Sequence, residues 1–291
     1  MPQPIHRRRF LLATAASGAA LLGAPAPRAF GAGQPVGADP DFHIYLAFGQ
    51  SNMEGFPGIE EQDKVDVDPR FQMLAAVDFP DLGRRKGQWY PAVPPLCRSS
   101  TGLCPADYFG RTLVARLPGR VRVGVVNVAV AGCRIELFDR DTFDSYAATA
   151  APWMKTIIEG YGGNPYQHLV EMARVAMRSG VIKGVLLHQG ESNTNDHAWP
   201  EKVAKIYRNL LDDLKLDAAG VPLLAGETVN ADQQGAAASV NEIIAQLPKV
   251  VPTAHVVSSK GCESRPDRLH FTPAGYRELG RRYAGTLLAL G

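Results

Sequence analysis

Five runs of the chain are short, apolar and rich in β-branched or aromatic residues, and between them apolar positions recur every three or four residues. The first run, Phe42 to Phe48, is too short for a good helix and almost wholly apolar, as a strand buried on both faces of a sheet should be. Arg122 to Val130, Val181 to Leu187, Val221 to Ala225 and Ala254 to Ser258 repeat that pattern. Helical spacing appears at Tyr108, Leu113, Val114 and Leu117, at Leu169, Met172, Ala173 and Ala176 before Gly180, and at Val203, Ile206, Tyr207, Leu210, Leu211 and Leu214. Ser239 with Glu242 has capping-box spacing ahead of Ile243, Ile244 and Leu247. Thr272-Pro273 then opens a last helix, with Tyr276, Leu279, Tyr283 and Leu287 as its buried stripe. Strands alternating with helices predict an α/β fold in which one parallel sheet is covered on both faces.

Two stretches fall outside the alternation. Pro57 to Thr101, rich in Pro and Gly, reads as a long irregular loop carrying Phe71, Trp89 and Tyr90. Phe138 to Pro165 has weak periodicity and reads as an excursion containing some helix, placed as one wall of a site. No internal repeat and no linker divides residues 33–291, which are expected to form one domain.

Residues 1–32 read as a leader. Arg7-Arg8-Arg9-Phe10-Leu11 starts a basic region, and Leu11 to Ala24 is an apolar, Ala/Gly-rich stretch ending in small residues, with cleavage expected after Ala26 or Ala32. The order of arginines and Phe-Leu resembles a twin-arginine signal, so export to the periplasm or beyond is expected. Pro25, Pro27 and Arg28 cut the apolar run short of a membrane span, so no stable membrane insertion is expected after cleavage.

Composition narrows the remaining options. The 291 residues, 45% hydrophobic and 21% charged, are enough for one substantial core, and a net charge of +2 with no basic block gives no case for nucleic acid. Export permits disulfides among the four cysteines, Cys97, Cys104, Cys133 and Cys262, and the pairs 97/104 and 133/262 are expected. Zinc is the competing use, but neither spacing matches a common Cys/His signature.

Chemistry gathers where the strand-like runs end. Phe48-Gly49-Gln50-Ser51-Asn52-Met53 follows the first run, Ala131-Gly132-Cys133 the second, His188-Gln189-Gly190-Glu191 the third, and Asp267-Arg268-Leu269-His270 precedes the last helix. Ligands of open α/β sheets bind beyond the carboxyl ends of the strands. A serine hydroxyl needs a base, and the base needs a group to orient it. Ser51 is the candidate nucleophile, His270 the base and Asp267 the orienting acid, because three residues of separation let the carboxylate reach the imidazole Nδ1-H. The backbone N-H groups of Ser51 and Gly132 and the side-chain amide of Gln189 are candidate oxyanion donors. His188 competes for the role of base but continues an apolar strand, which suits a core histidine. Glu191 competes with Asp267 but reads as a structural support, as does Asn52.

Together these four blocks resemble the SGNH hydrolase superfamily, and more narrowly its carbohydrate esterases, the branch that includes acetylxylan esterases and sialate O-acetylesterases. The resemblance runs from about Phe42 to the C-terminus. It implies a flavodoxin-like three-layer α/β/α sandwich with a parallel sheet of about five strands. It also implies Ser51, Asp267 and His270 as the triad, an oxyanion hole of Ser51, Gly132 and Gln189, and no metal or organic cofactor. The second block departs from the branch, where Gly-Gly-Ser or Gly-Gly-Thr is common, by carrying Cys133 after Gly132. The implied activity is removal of acetyl groups from an oligo- or polysaccharide, acetylated xylan being the first expectation and O-acetyl sialate the second. A catalytically inactive carbohydrate-binding protein is the alternative of another class. A flavodoxin-like nucleotide binder lacks support, since no glycine-rich phosphate loop follows the first strand. On this reading Phe71, Trp89 and Tyr90 either stack on sugar rings or pack the long loop onto the body.

Overall fold

The computed structural model describes Met1, residues 37–56 and residues 58–291. The leader read at residues 1–32 lies, apart from Met1, outside the described residues. Seven strands form a single sheet: β1 (Phe42–Gly49), β2 (Phe71–Leu74), β3 (Trp89–Pro91), β4 (Arg122–Ala129), β5 (Val181–His188), β6 (Leu223–Gly226) and β7 (Ala254–Val257), in the order β3-β2-β4-β1-β5-β6-β7. All neighbours run parallel except β2 and β3. The helices are α1 (Ser51–Glu54), α2 (Glu61–Lys64), α3 (Pro105–Arg116), α4 (Phe143–Thr149), α5 (Pro152–Gly160), α6 (Pro165–Ala176), α7 (Trp199–Leu214), α8 (Val240–Ile244), α9 (Leu247–Val250) and α10 (Pro273–Leu288).

The α/β class expected from the alternation is the one found, with two strands more than the five expected. Both extra strands come from the stretch read as irregular. β2 has four residues and β3 three, the latter an antiparallel edge ending in Pro91, so neither is long enough to show a period. The aromatics of that stretch pack the body: Phe71 is fully buried, Trp89 stacks on Phe42 and donates its Nε1-H to Ser179 Oγ, and the Tyr90 hydroxyl accepts from Arg85 N.

Side chains of β1 alternate between two cores. Ile44, Leu46 and Phe48 enter the one under α5, α6 and α7, whereas Tyr45 and Ala47 enter the one under α3 and α10. Each large apolar side chain fully buried this way contributes about 1.5–3 kcal/mol, which makes the central strand the best-anchored element of the sheet. Thr272 caps α10 by accepting from Gly275 N, with Pro273 in the first turn as read from the sequence. The box expected from Ser239 does not form: its side chain makes no capping bond at α8 and its backbone is already helical.

Register sets the position of the site. Gly49 of β1 pairs with Ala129 of β4 on one side and with His188 of β5 on the other, so the turns that begin at Gln50, Val130 and Gln189 leave the sheet at one level. Gly49 itself, at φ +147°, sits where a Cβ would lie 2.1 Å from the His188 carbonyl oxygen, so only glycine lets β1 and β5 close here.

The cysteines correct the disulfide expectation. Cys97, Cys104, Cys133 and Cys262 are all buried free thiols. Cys133 belongs to the core under α6 and Cys262 to the core under α10, with the sheet between them. Cys97 lies 3.2 Å from the Tyr161 hydroxyl and Cys104 accepts from Asn127 Nδ2, so each sulfur has its own neighbours. Burial pushes the thiols of Cys97 and Cys104 up to about 12, which keeps them protonated and unreactive.

Candidate active site

Ser51 is the first residue of α1, where the chain turns sharply out of β1. The loop carrying Asp267 and His270 follows β7 and is held by Arg265 N donating to His270 O, by Ala236 N donating to Arg268 O, and by Arg268 in the left-handed region at φ 57°. These two segments meet over the end of β1. His270 Nε2 lies 3.0 Å from Ser51 Oγ, and His270 Nδ1 lies 2.9 Å from Asp267 Oδ2. The other carboxylate oxygen, Oδ1, accepts from Leu269 N and His270 N. Burial by itself would raise the Asp267 carboxyl, but the two N-H groups and the imidazole outweigh it and hold the group below its ordinary value. An ionised Asp267 fixes the proton on Nδ1 and leaves Nε2 as acceptor for the Ser51 hydroxyl. The Phe56 ring stacks on the imidazole at 4.0 Å between centroids and 20° between planes, which restrains the ring from its face.

Beside Ser51 opens a cavity of about 430 Å³, lined by Gln50, Ser51, Phe56, Arg98, Gly132, Ser192 and His270 among others. The backbone N-H groups of Ser51 and Gly132 donate to no other described backbone group. Gly132 has φ +66°, a left-handed turn suited to glycine. Arg98 is the guanidinium in the cavity wall, and it is committed to Glu54, to the Ala129 carbonyl and to the Tyr161 hydroxyl. No group of three or more His, Cys, Asp and Glu side chains gathers to hold a metal among the described residues. None of the described helices is long and apolar enough to cross a membrane.

A model of one family, described as carbohydrate esterase, sialic acid-specific acetylesterase, matches residues 41–289, the whole of the sheet and all four site segments. The chain belongs to this family. It is therefore an esterase. Solved structures share the fold of this carbohydrate esterase at low identity. A protein from Arabidopsis thaliana is 22% identical with a TM-score of 0.66, over 86% of this chain and 99% of that one. NanS is 16% identical with a TM-score of 0.61, over 86% of this chain and 98% of its own. A carbohydrate acetylesterase from Xanthomonas citri is 19% identical with a TM-score of 0.58, over 83% of this chain and 54% of that one.

In this carbohydrate esterase, the supports read from the sequence come together behind Ser51. Asn52 Nδ2 donates to Glu191 Oε1 and to the Leu269 carbonyl, while Tyr276 donates to Asn52 Oδ1, so one amide joins α1, the turn after β5 and the Asp267–His270 loop. Burial pushes the Glu191 carboxyl up to about 7 and the His188 imidazole down to about 3. The Tyr283 hydroxyl donates to the Leu187 carbonyl, so it accepts from His188 Nδ1-H and leaves Nε2 as an acceptor. That Nε2 has no hydrogen-bond partner and lies 3.8 Å from the Glu191 carboxyl, whose Oε2 is equally unpartnered. His188 is thus a core histidine, and Glu191 reaches the Asp267–His270 loop only through Asn52 among the described hydrogen bonds.

Gln189 is placed differently from the expectation. Its Nε2 has three acceptors, Gln50 Oε1, the Cys133 carbonyl and Asn193 Oδ1, and its Oε1 accepts from Trp199 Nε1. Both amide protons are spent behind the cavity floor. The glutamine that lines the cavity is Gln50, whose Oε1 accepts from Gln189 Nε2, Gly190 N and Ser192 N. With Oε1 so anchored, Nε2 is left over, and it donates to no described residue. Sequence reasoning passed over Gln50 because it treated the residue before Ser51 as part of the turn.

Proposed function

We propose that the protein is an exported serine esterase that removes O-acetyl groups from carbohydrates through an acetyl-enzyme intermediate. The observation that carries this reading is the continuous path Ser51 Oγ, His270 Nε2, His270 Nδ1, Asp267 Oδ2, with contacts of 3.0 and 2.9 Å, at the mouth of a cavity. Ser51 gives its proton to His270 Nε2 as Oγ attacks the acetyl carbonyl carbon. The oxyanion then faces the N-H groups of Ser51 and Gly132 and the Nε2 of Gln50, which Gln189 holds from behind. When the carbon–oxygen bond to the sugar breaks, His270 returns the proton to the departing sugar hydroxyl. Water activated by the same imidazole cleaves the acetyl-Ser51 ester and acetate leaves. The leader at residues 1–32 supports export.

Acetylated neutral glycan, xylan in the first place, is favoured by the cavity wall: its guanidinium is neutralised by Glu54, and among the described residues no other Lys or Arg lines it. Sialate O-acetyl removal is the second reading, favoured by the description of the matching family. Acetate release from acetylated xylan, acetylated mannan and O-acetyl sialic acids tests both. Release from none of them, by folded protein that cleaves p-nitrophenyl acetate, rejects the carbohydrate assignment.

A further inference from the structure

The chain has three tryptophans, and two of them have their N-H groups satisfied: Trp199 donates to Gln189 from full burial, and the half-buried Trp89 donates to Ser179 at the sheet edge. Trp153 is the exception. It is 53% exposed, while the next residue on the helix, Met154, is buried. Its Nε1 donates to no described residue and no described ring stacks on it. The other exposed large hydrophobic side chains among the described residues, Met1, Val65, Leu82 and Leu290, are aliphatic, and isolated ones of that kind carry no message.

Position gives Trp153 its meaning. It stands in the first turn of α5, within the excursion between β4 and α6, and its six-membered ring lies against Gly132: a Cβ built there would be 2.8 Å from Trp153 Cη2. Gly132 lines the cavity, although Trp153 itself does not, and on the proposed function the Gly132 N-H receives the acetyl oxygen. An acetyl carbonyl held between Ser51 and Gly132 would leave the sugar it esterifies near Gly132, the residue against which the indole packs. A pyranose has an apolar face of axial C-H groups and a hydroxylated rim. An exposed indole complements both, with its π-face for the former and its Nε1-H for the latter.

We propose that Trp153 is the platform on which the pyranose ring bearing the acetyl ester stacks. This rests on the carbohydrate esterase reading above and adds to it the residue that selects sugar esters over simple acetates. The competing role is structural, with the indole only bracing the left-handed turn at Gly132.

The two roles separate by substrate. Trp153→Ala and Trp153→Tyr are assayed against p-nitrophenyl acetate and against an acetylated xylo-oligosaccharide and an O-acetyl sialic acid. Truncating an aromatic anchor that a ligand covers typically costs about tenfold or more in affinity. The expected result is a kcat/KM loss for Trp153→Ala on the sugar ester that exceeds its loss on p-nitrophenyl acetate at least ~tenfold, carried mainly by KM, with most of it recovered in Trp153→Tyr. Equal losses on both kinds of substrate would assign the indole to bracing and overturn the proposal, as would an undiminished rate on the sugar ester. Absence of acetate release from every glycan by the unaltered enzyme would instead reject the carbohydrate reading, and the platform with it.

Discussion

The side-chain amide of Asn52 donates to Glu191 Oε1 at 2.5 Å, from the residue next to the nucleophile to a carboxyl that burial has raised to about 7. The same amide donates to the Leu269 carbonyl, between Asp267 and His270 in the chain. The turn at Ser51 and the Asp267–His270 loop thus share a tie whose far end is a group that is protonated over much of the acid range.

That group makes stability depend on pH. The ordinary carboxyl value is 4.5 and the folded value is about 7, so between them the folded chain holds a proton that the unfolded chain has lost. Stability therefore falls as pH rises through this window and levels off above it, by roughly 3 kcal/mol at most from this group. Glu191→Gln, which keeps an acceptor for Asn52 and cannot ionise, should flatten that part of the profile. Thermal unfolding of both proteins across the window measures the difference. Parallel profiles would show that Glu191 is already ionised in the folded protein.

Asp267 is the proposed orienting acid, because among the described residues its carboxylate alone contacts His270 Nδ1. Asp267→Asn should cost about 10³-fold or more in kcat, since an amide favours the wrong imidazole tautomer. Glu191→Gln should cost less than about tenfold, because the glutamine copies the protonated acid. Steady-state kinetics on p-nitrophenyl acetate, with circular dichroism to check folding, decides the ranking. The reverse order would make Glu191 the third member of the triad.

The cavity glutamine is the one before the serine. Gln50→Glu keeps the oxygen that accepts from Gly190 N and Ser192 N but removes the donor and adds negative charge beside the oxyanion. Loss of one such donor typically costs about 10² to 10³ in turnover, and the drop should fall on kcat with KM little changed. A kcat within a few-fold of the unaltered enzyme would place the third donor elsewhere.

Much of this molecule is legible in the sequence, for reasons that name its blind spots. β1, β4 and β5 each run eight residues of apolar chain, long enough to be read as buried strands, and their ends mark the site turns. Ser51 at the end of β1 and Asp267 and His270 on the loop before α10 carry distinctive side chains and meet within hydrogen-bonding distance. β2 and β3 are too short to show a period and were hidden among prolines. The cysteine pairing failed because nearness to a loop in sequence does not say on which face of the sheet a sulfur lies, and Cys133 and Cys262 lie on opposite faces. Gln50 and Gln189 are chemically identical, and only the packing of Trp199 and Asn193 around the second decides which amide is spent. Nothing in the pattern around Trp153 distinguishes an exposed indole from a buried one.

The most direct test of covalent catalysis at Ser51 is mass spectrometry of enzyme quenched in acid during turnover of an acetyl ester, followed by mapping of the peptide that spans Phe48 to Met53. The expected result is a single acetyl group on Ser51 in the unaltered enzyme and no acetyl peptide in folded Ser51→Ala. Acetate release at an undiminished rate by folded Ser51→Ala, or an acetyl group trapped on another residue, would contradict the assignment of Ser51 as the nucleophile.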